Sequence, residues 1–391
     1  MRHVGRTALG CLVGVLSAVF NTGCGGDSAD KGPSAIVLIV TPSESDAPRA
    51  FTGAASLAAE SSALVRHVAL PHAPSADKRK AVLEAALLSA SKEKLVRAVL
   101  VAPAFEGTVA AFRALRSRRR DIALVALEPS EERLAVEAAS DLVVELDRLY
   151  RPYYAVQSAK KAGAKRFIEA AAASSVPGAR SRESAILKAA CTEFGLVYRS
   201  ARAAPDSKGY GWLGELGPDC ALYCADSSAV PFIADAALAT GAVVVDGGPD
   251  SLEAWVSALA AGLPADLKKT DREARLKYIE KAVLGLTGAG RIAVWTTGYG
   301  SESVEGLGEF LCTCVRGAAK LDDSKALIST LKSRFPGSAW IASFDADPVT
   351  GVKAGNHLLL RQDPYVFGYG YQQSAFFSMP PSYLTIKASA P

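Results

Sequence analysis

The sequence predicts an α/β protein built as two doubly wound, three-layer (α/β/α) lobes whose parallel sheets face each other across a cleft. Three observations carry that expectation. From Ala35 onward, short runs rich in Val, Ile and Leu alternate with longer amphipathic stretches, and each run ends in Pro, Gly, Ser, Asp or Glu. The runs lack polar alternation, which fits strands buried on both faces of a parallel sheet covered by helices. The whole pattern then restarts near Leu146 to Tyr153, where Pro152 interrupts it.

In the first lobe, residues 34–148, the spacing predicts strands over 35–40, 64–70, 98–102, 122–127 and 141–144, separated by helices over 47–62, 77–90, 108–118 and 131–138. The second lobe, residues 149–300, opens with a helix over 153–162. It continues with strands over 166–170, 197–201, 220–225, 242–246 and 291–296, and with helices over 181–194, 228–240 and 268–284. Residues 301–391 supply helices over 302–318 and 324–335, apolar segments at 339–344 and 357–360, and an aromatic, Gly-rich tail over 365–383 that looks irregular. The pattern does not assign this last portion to a lobe.

Ahead of the first lobe, Arg2 and Arg6 precede an apolar run from Ala8 to Phe20 and small residues ending at Gly23. A charged start, a hydrophobic segment too short to span a bilayer and a small-residue cut read as an export signal over 1–23. Cys24 follows a small residue at the cut, as the lipid-accepting cysteine of a bacterial lipoprotein does, although Asn21 stands where such signals usually carry Leu. Residues 24–33 are Gly-rich and polar, a tether for an anchored domain; the alternative is a plain secretory peptide that leaves Cys24 in a loose tail. The expected location is the cell envelope, facing the periplasm or exterior.

About 365 residues then remain, more than one hydrophobic core normally organises. Formal charge falls from +4 to +2 once Arg2 and Arg6 leave, too little for a phosphate-binding footprint, so nucleic acid is excluded as an expected partner. Five cysteines follow Cys24, namely Cys191, Cys220, Cys224, Cys312 and Cys314, and an odd number rules out a complete disulfide framework. Cys220 and Cys224 lie about 13 Å apart along one predicted strand and cannot bridge each other. Cys312 and Cys314 lack a second pair at ligand spacing and His357 stands alone in the sequence, so small buried thiols are expected, with no metal and no cofactor.

Several stretches resemble a family of bacterial lipoproteins, uncharacterised in function, within the type 1 periplasmic binding protein superfamily. Val99 to Thr108, with Ala110-Ala111-Phe112-Arg113 and Arg119-Arg120-Asp121-Ile122, is similar to that family's strand, Pro-Gly-Thr turn, helix and Arg-Pro-Asp-Ile entry to the next strand. Lys161 to Phe167 resembles its Lys-x-Gly-Ala-x-x-Phe, Cys191-x-x-x-Gly195 its helix end, and Gly290-Arg291-x-x-x-Trp295 its Gly-Arg-x-x-x-Trp element. The resemblance implies the two-lobed fold and a small-molecule ligand in the cleft. Where the family carries Pro-Arg-His and Pro-x-Pro-Tyr-His-Gly segments, this chain reads Ser175 to Arg180 and Asp246-Gly247-Gly248-Pro249-Asp250, so a ligand common to the family need not be this chain's.

Polar residues directly after strand ends can project into such a cleft. Ser43 and Glu44 follow the first strand, where serines equally serve as helix caps. Phe105, Glu106 and Thr108 follow the third: Phe105 stacks on a ring or fills the core, Gly107 permits close backbone approach, and Thr108 caps the helix. Ser130 is the cap expected after the fourth. In the second lobe Arg180 is the candidate for an anionic group, Asp226 and Ser227 bind a ligand or cap a helix, and Asp246 is the carboxylate expected to face the cleft. Trp295 is a stacking platform or a buried wedge, and Thr296 adjoins it.

Three functions fit. The first is a solute-binding lipoprotein that presents a small molecule to a membrane transporter or sensor. The second is an enzyme, against which no Gly-x-Gly-x-x-Gly, Gly-x-x-x-x-Gly-Lys or Gly-x-Ser-x-Gly motif occurs and no histidine has an evident base partner, so no catalytic residue is assigned. The third is a degenerate binding-protein fold serving as an envelope interaction module. The first is the expectation.

Overall fold

β1 (Ile36–Thr41) is buried at every residue and is an interior strand of the first lobe's sheet, one in from its edge. The computed structural model describes residues 35–387, apart from 44–48, 74, 173–180, 204–209, 226, 249–250, 259–263, 265–266, 268–270, 297, 347–351 and 373–378. β2 (Val65–Ala69), β3 (Val96–Val101), β4 (Ala123–Leu127) and β5 (Leu142–Leu146) alternate with α1 (Arg49–Ser61), α2 (Ala76–Ala90), α3 (Thr108–Arg118) and α4 (Arg133–Ala139). The strands lie parallel in the order β2-β1-β3-β4-β5. Alternate residues feed two cores, as strand geometry requires. Ile36, Leu38 and Val40 pack with Leu83, Leu87, Phe112 and Leu115 of α2 and α3, while Val37 and Ile39 pack with Ala54, Ala55 and Ala58 of α1.

The second of these cores also takes in the late helices α10 (Tyr299–Val315) and α11 (Ser324–Arg334) through Val304, Leu307, Phe310, Leu327 and Leu331. β12 (Lys353–Gln362) then pairs parallel with β5, and β11 (Trp340–Ala346) pairs antiparallel with β12, giving a seven-stranded sheet. Residues 299–362 thus belong to the first lobe. The antiparallel edge departs from the all-parallel expectation because a short connection between neighbouring strands returns the chain in the opposite direction.

The second lobe repeats the winding. α5 (Tyr150–Lys161) leads to β6 (Arg166–Ala172), α6 (Ser181–Phe194), β7 (Val197–Ala203), β8 (Cys220–Cys224), α7 (Val230–Thr240), β9 (Val243–Asp246), α8 (Ser251–Ala258) and α9 (Arg272–Thr287). Sheet order is β7-β6-β8-β9, parallel throughout. Phe167, Tyr223, Val243 and Val245 face α5 and α6, whereas Ile168, Leu222 and Val244 face α7, α8 and α9. α5 starts three residues before the expected position with Pro152 in its first turn, where the missing N–H has no intrahelical partner to lose.

The fifth strand expected over 291–296 shrinks to β10 (Ala293–Val294). Ile292 makes one parallel bridge to Val244, and β10 then pairs antiparallel with β13 (Tyr365–Val366), which pairs with β14 (Gly370–Tyr371). The tail expected to be irregular supplies these strands and a short helical turn, Pro381–Thr385, whose Tyr383 meets Tyr153 edge-on at 4.7 Å. The chain crosses between lobes three times, at 147–149, between Val294 and Tyr299, and at 363–364. The expected signal and tether lie outside the described residues, and no described helix is long and apolar enough to cross a membrane.

Candidate functional site

The carboxyl ends of both sheets converge on the first crossing. Glu128, directly after β4 and at φ 52°, accepts from the Leu146 amide at the end of β5 and pairs with Arg148 at 2.6 Å. Three residues on, Arg151 in the first turn of α5 donates to Asp246 at the end of β9 from Nε (2.5 Å) and Nη2 (2.7 Å), and Nη2 also reaches the Cys224 carbonyl of β8 at 3.0 Å. Open α/β sheets take ligands outside these strand ends, and two facing sets of loops make a cleft.

Arg151 organises the second lobe's floor. Its guanidinium lies over the rings of Tyr223 (5.0 Å) and Trp295 (5.6 Å), a favourable place for a delocalised cation. Asp246, 2% exposed, also accepts from the Trp295 indole (2.8 Å) and the Gly248 amide (2.7 Å). Burial disfavours the charged Arg151, but Asp246 outweighs it and holds the guanidinium protonated; burial likewise pushes the Tyr223 phenol well above its ordinary value. Asp246 is therefore already paired inside the protein, and Trp295, 4% exposed, is a wedge rather than an open platform. The sequence offered no sign of Arg151 as the partner except a Pro one residue later, the mark of a helix start.

Other predicted residues fall in different places. Thr108 does not cap α3: the cap is Gly107 at φ 107°, and the Thr108 hydroxyl donates to the Phe105 carbonyl at 2.7 Å. Glu131 reaches over to accept from the Val109 amide at 2.8 Å, satisfying the helix start from another loop. Ser130 is not the α4 cap either; Glu132 accepts from the Leu134 and Ala135 amides. Phe105 packs against the first lobe's core, and Glu106 is an exposed partner of Lys80 at 2.8 Å, which lowers its carboxyl pKa. Ser43 and Ser227 are half-buried at the ends of β1 and β8. Glu44, Arg180, Asp226 and Cys24 lie outside the described residues.

The second crossing joins the lobes through Thr296, whose hydroxyl lies 3.0 Å from the Tyr371 phenol and donates to the Gly337 carbonyl at 3.2 Å. Beside it, Arg272 at the start of α9 pairs with Glu302 in the first turn of α10 and covers the Phe335 ring at 5.4 Å. Glu302 is 2% exposed, so a first-lobe carboxylate is neutralised by a second-lobe cation. The third crossing is braced by Arg361, 3.7 Å from Asp147 and 4.4 Å from the Tyr150 ring centre.

His357 is not isolated in space: one ligand atom each from His357, Glu137 and Asp345 falls within 4.8 Å of the others. Arg133 pairs with both carboxylates, at the same oxygens that approach the ring, so the chain supplies its own cation there. The five described cysteines are free thiols, and burial pushes Cys191 up to about 12 and Cys220 to about 11. A cavity of about 450 Å³ runs along the second lobe's flank between α5 and β9, lined by Tyr154, Lys161, Val244, Arg291 and Gln372, and contains none of the predicted residues.

A family model described as "protein of unknown function (DUF3798)" matches residues 36–293, and a second family model matches 304–386. An uncharacterized protein of Treponema pallidum (strain Nichols) is 26% identical over 158 residues, 36% of this chain and 73% of that protein. Among solved structures, a putative transcriptional regulator from Clostridium difficile 630 superimposes with a TM-score of 0.66 at 14% identity, over 85% of this chain and 99% of that one. A sugar ABC transporter protein from Actinomyces odontolyticus ATCC 17982 gives a TM-score of 0.45 at 12% identity, over 84% and 93%. The likeness to the regulator is one of fold, two doubly wound α/β lobes in one chain.

Proposed function

We propose that this chain, which belongs to the DUF3798 family of proteins of unknown function, is an extracytoplasmic solute-binding lipoprotein whose two lobes rock together on a small molecule. One observation carries this reading: strand ends from two like-wound sheets converge on three short crossings, where a ligand can touch both lobes and few residues need bend. Ser43, Glu44, Phe105 and Glu106 would contribute from the first lobe, and Arg180, Asp226, Ser227 and Thr296 from the second. Asp246 and Trp295 shape the floor through Arg151 rather than offering free groups. Lipid on Cys24 would hold the body near a membrane transporter or sensor.

A thermal-shift screen of the mature domain against sugars, nucleosides, amino acids and carboxylates tests the reading. A ligand at a hundred times its Kd adds about 2.7 kcal/mol to the native state, a shift of several degrees. Absence of any shift across these classes overturns it. Intact-mass analysis of the native protein tests the anchor: an N-terminus other than an acylated Cys24 removes it. The interaction-module reading draws on one observation, that Arg151 consumes the second lobe's carboxylate and indole, and it takes over if the screen is blank.

A further inference from the structure

His357 lies on β12 with 1% of its surface exposed, and charged groups reach it from three neighbouring elements. Glu137 of α4 sits 2.7 Å from Nδ1, Glu145 of β5 sits 3.1 Å from Nε2, and Asp345 of β11 lies 4.0 Å from Nδ1. Arg133 of α4 pairs with both Glu137 and Asp345. A protonated imidazole donates from both nitrogens and offsets a carboxylate excess that Arg133 alone leaves uncompensated. A neutral ring donates from one nitrogen only, which turns the other nitrogen's lone pair toward a carboxylate oxygen. The charged ring therefore ties β12 to α4, β5 and β11, and the neutral ring releases one of those ties.

β12 carries the consequence to the hinge. Four residues beyond His357, Arg361 braces Asp147 of the first crossing and Tyr150 at the start of α5, and the strand then runs into the third crossing at 363–364. We propose that His357 is a proton-operated clamp: with its ring charged it holds the β11–β12 edge and the hinge strand against the first lobe, and with its ring neutral it lets them loosen. The clamp stands on the first lobe's own geometry and does not depend on solute binding.

Burial favours the neutral ring and is the largest single influence, but hydrogen bonds to Glu145 and Glu137 outweigh it and raise the pKa above the ordinary 6.5. The folded ring thus holds its proton more tightly than the unfolded chain does. Its stabilisation is complete below 6.5 and is lost as pH rises through the raised value.

Hydrogen–deuterium exchange of the intact protein between pH 6 and about 9, corrected for intrinsic rates, tests the clamp. Protection of residues 353–362 should fall by up to about tenfold per pH unit above 6.5 until the ring has lost its proton, while β1 and β3 hold steady. His357→Gln should show the low, pH-independent protection throughout. Glu145→Gln removes the most exposed partner, should fold normally, and should move the release to lower pH. Protection of 353–362 that is flat with pH, a loss shared equally by β1 and β3, or a Glu145→Gln profile identical to the wild type overturns the proposal.

Discussion

The two lobes share one winding order but finish their cleft edges differently. In the first, polar groups at strand ends bond to backbone or to partly exposed partners: Thr108 to the Phe105 carbonyl, Glu131 to the Val109 amide, Glu128 to the Leu146 amide and to Arg148. In the second, one buried guanidinium gathers the Cys224 carbonyl, Asp246 and two aromatic faces. The first crossing is therefore bolted to the second lobe at Arg151, whereas its ties to the first lobe are Arg148, 59% exposed, on Glu128 and Arg361 on Asp147 at the looser distance of 3.7 Å. Bending should fall on the first-lobe side of Tyr150.

The largest expected effect tests that contrast. Arg151→Ala strands Asp246 in the interior and should cost about 3–5 kcal/mol, because removing one partner of a buried pair leaves the other charge uncompensated. Arg148→Ala removes a cation that is 59% exposed from Glu128, 12% exposed and still bonded to the Leu146 amide, and should cost about 1 kcal/mol. Urea unfolding of both variants gives the comparison, and equal losses would erase the distinction between a bolted and a yielding side of the hinge.

Next comes the contact that joins the lobes. Arg272→Met leaves Glu302 buried without its cation, while Glu302→Gln removes the charge that needed one. With Arg272 31% exposed in its side chain, its loss should cost about 2 kcal/mol, below the range for fully buried pairs, and Glu302→Gln should cost less. Small-angle scattering should show the Arg272→Met protein with a larger radius of gyration. If both variants keep the wild-type radius, the pair stabilises the second crossing without governing how far the lobes open.

How much of this could be read from the sequence follows from what is local. The helix over 108–118 and the helix over 181–194 match their observed limits because turn residues before them and amphipathic spacing within them are nearest-neighbour signals. The place of β12 was not legible, since a strand joining a sheet two hundred residues earlier carries no local mark of its partner. Arg151 carries no local mark because a Pro such as Pro152 fits a break, with the helix starting at Tyr153 and Arg151 in a linker, as regularly as it fits a first helical turn. His357 looked solitary for the same reason β12 did, its partners Glu137, Glu145 and Asp345 being gathered only by the sheet. Strand-end polarity points to Asp246 and Trp295 but carries no sign that they bond to each other.

The smallest effects separate the two edges by mechanism. Gly107 sits at φ 107°, and an added Cβ would lie 2.5 Å from Lys80 Cγ, 3.0 Å from its Cβ and 3.1 Å from its Cα, so the backbone of α2 must shift along with the side chain. Gly107→Ala should then cost about 2 kcal/mol, from backbone strain together with a small displacement of α2, and should leave the tryptophans undisturbed. Gly247 in the second lobe is crowded by a residue that holds the floor: a Cβ there would lie 2.7 Å from the Ser251 Cβ, and Ser251 accepts from the Trp295 amide at 2.8 Å. Ser251 cannot yield without shifting Trp295, so Gly247→Ala should cost a similar amount but also displace the indole from Asp246. Near-ultraviolet circular dichroism and tryptophan emission should change for Gly247→Ala and not for Gly107→Ala. Unchanged tryptophan signals in both proteins would mean that the second lobe's floor absorbs the added methyl without moving its indole, and the rigidity assigned to Arg151 would have to lie elsewhere.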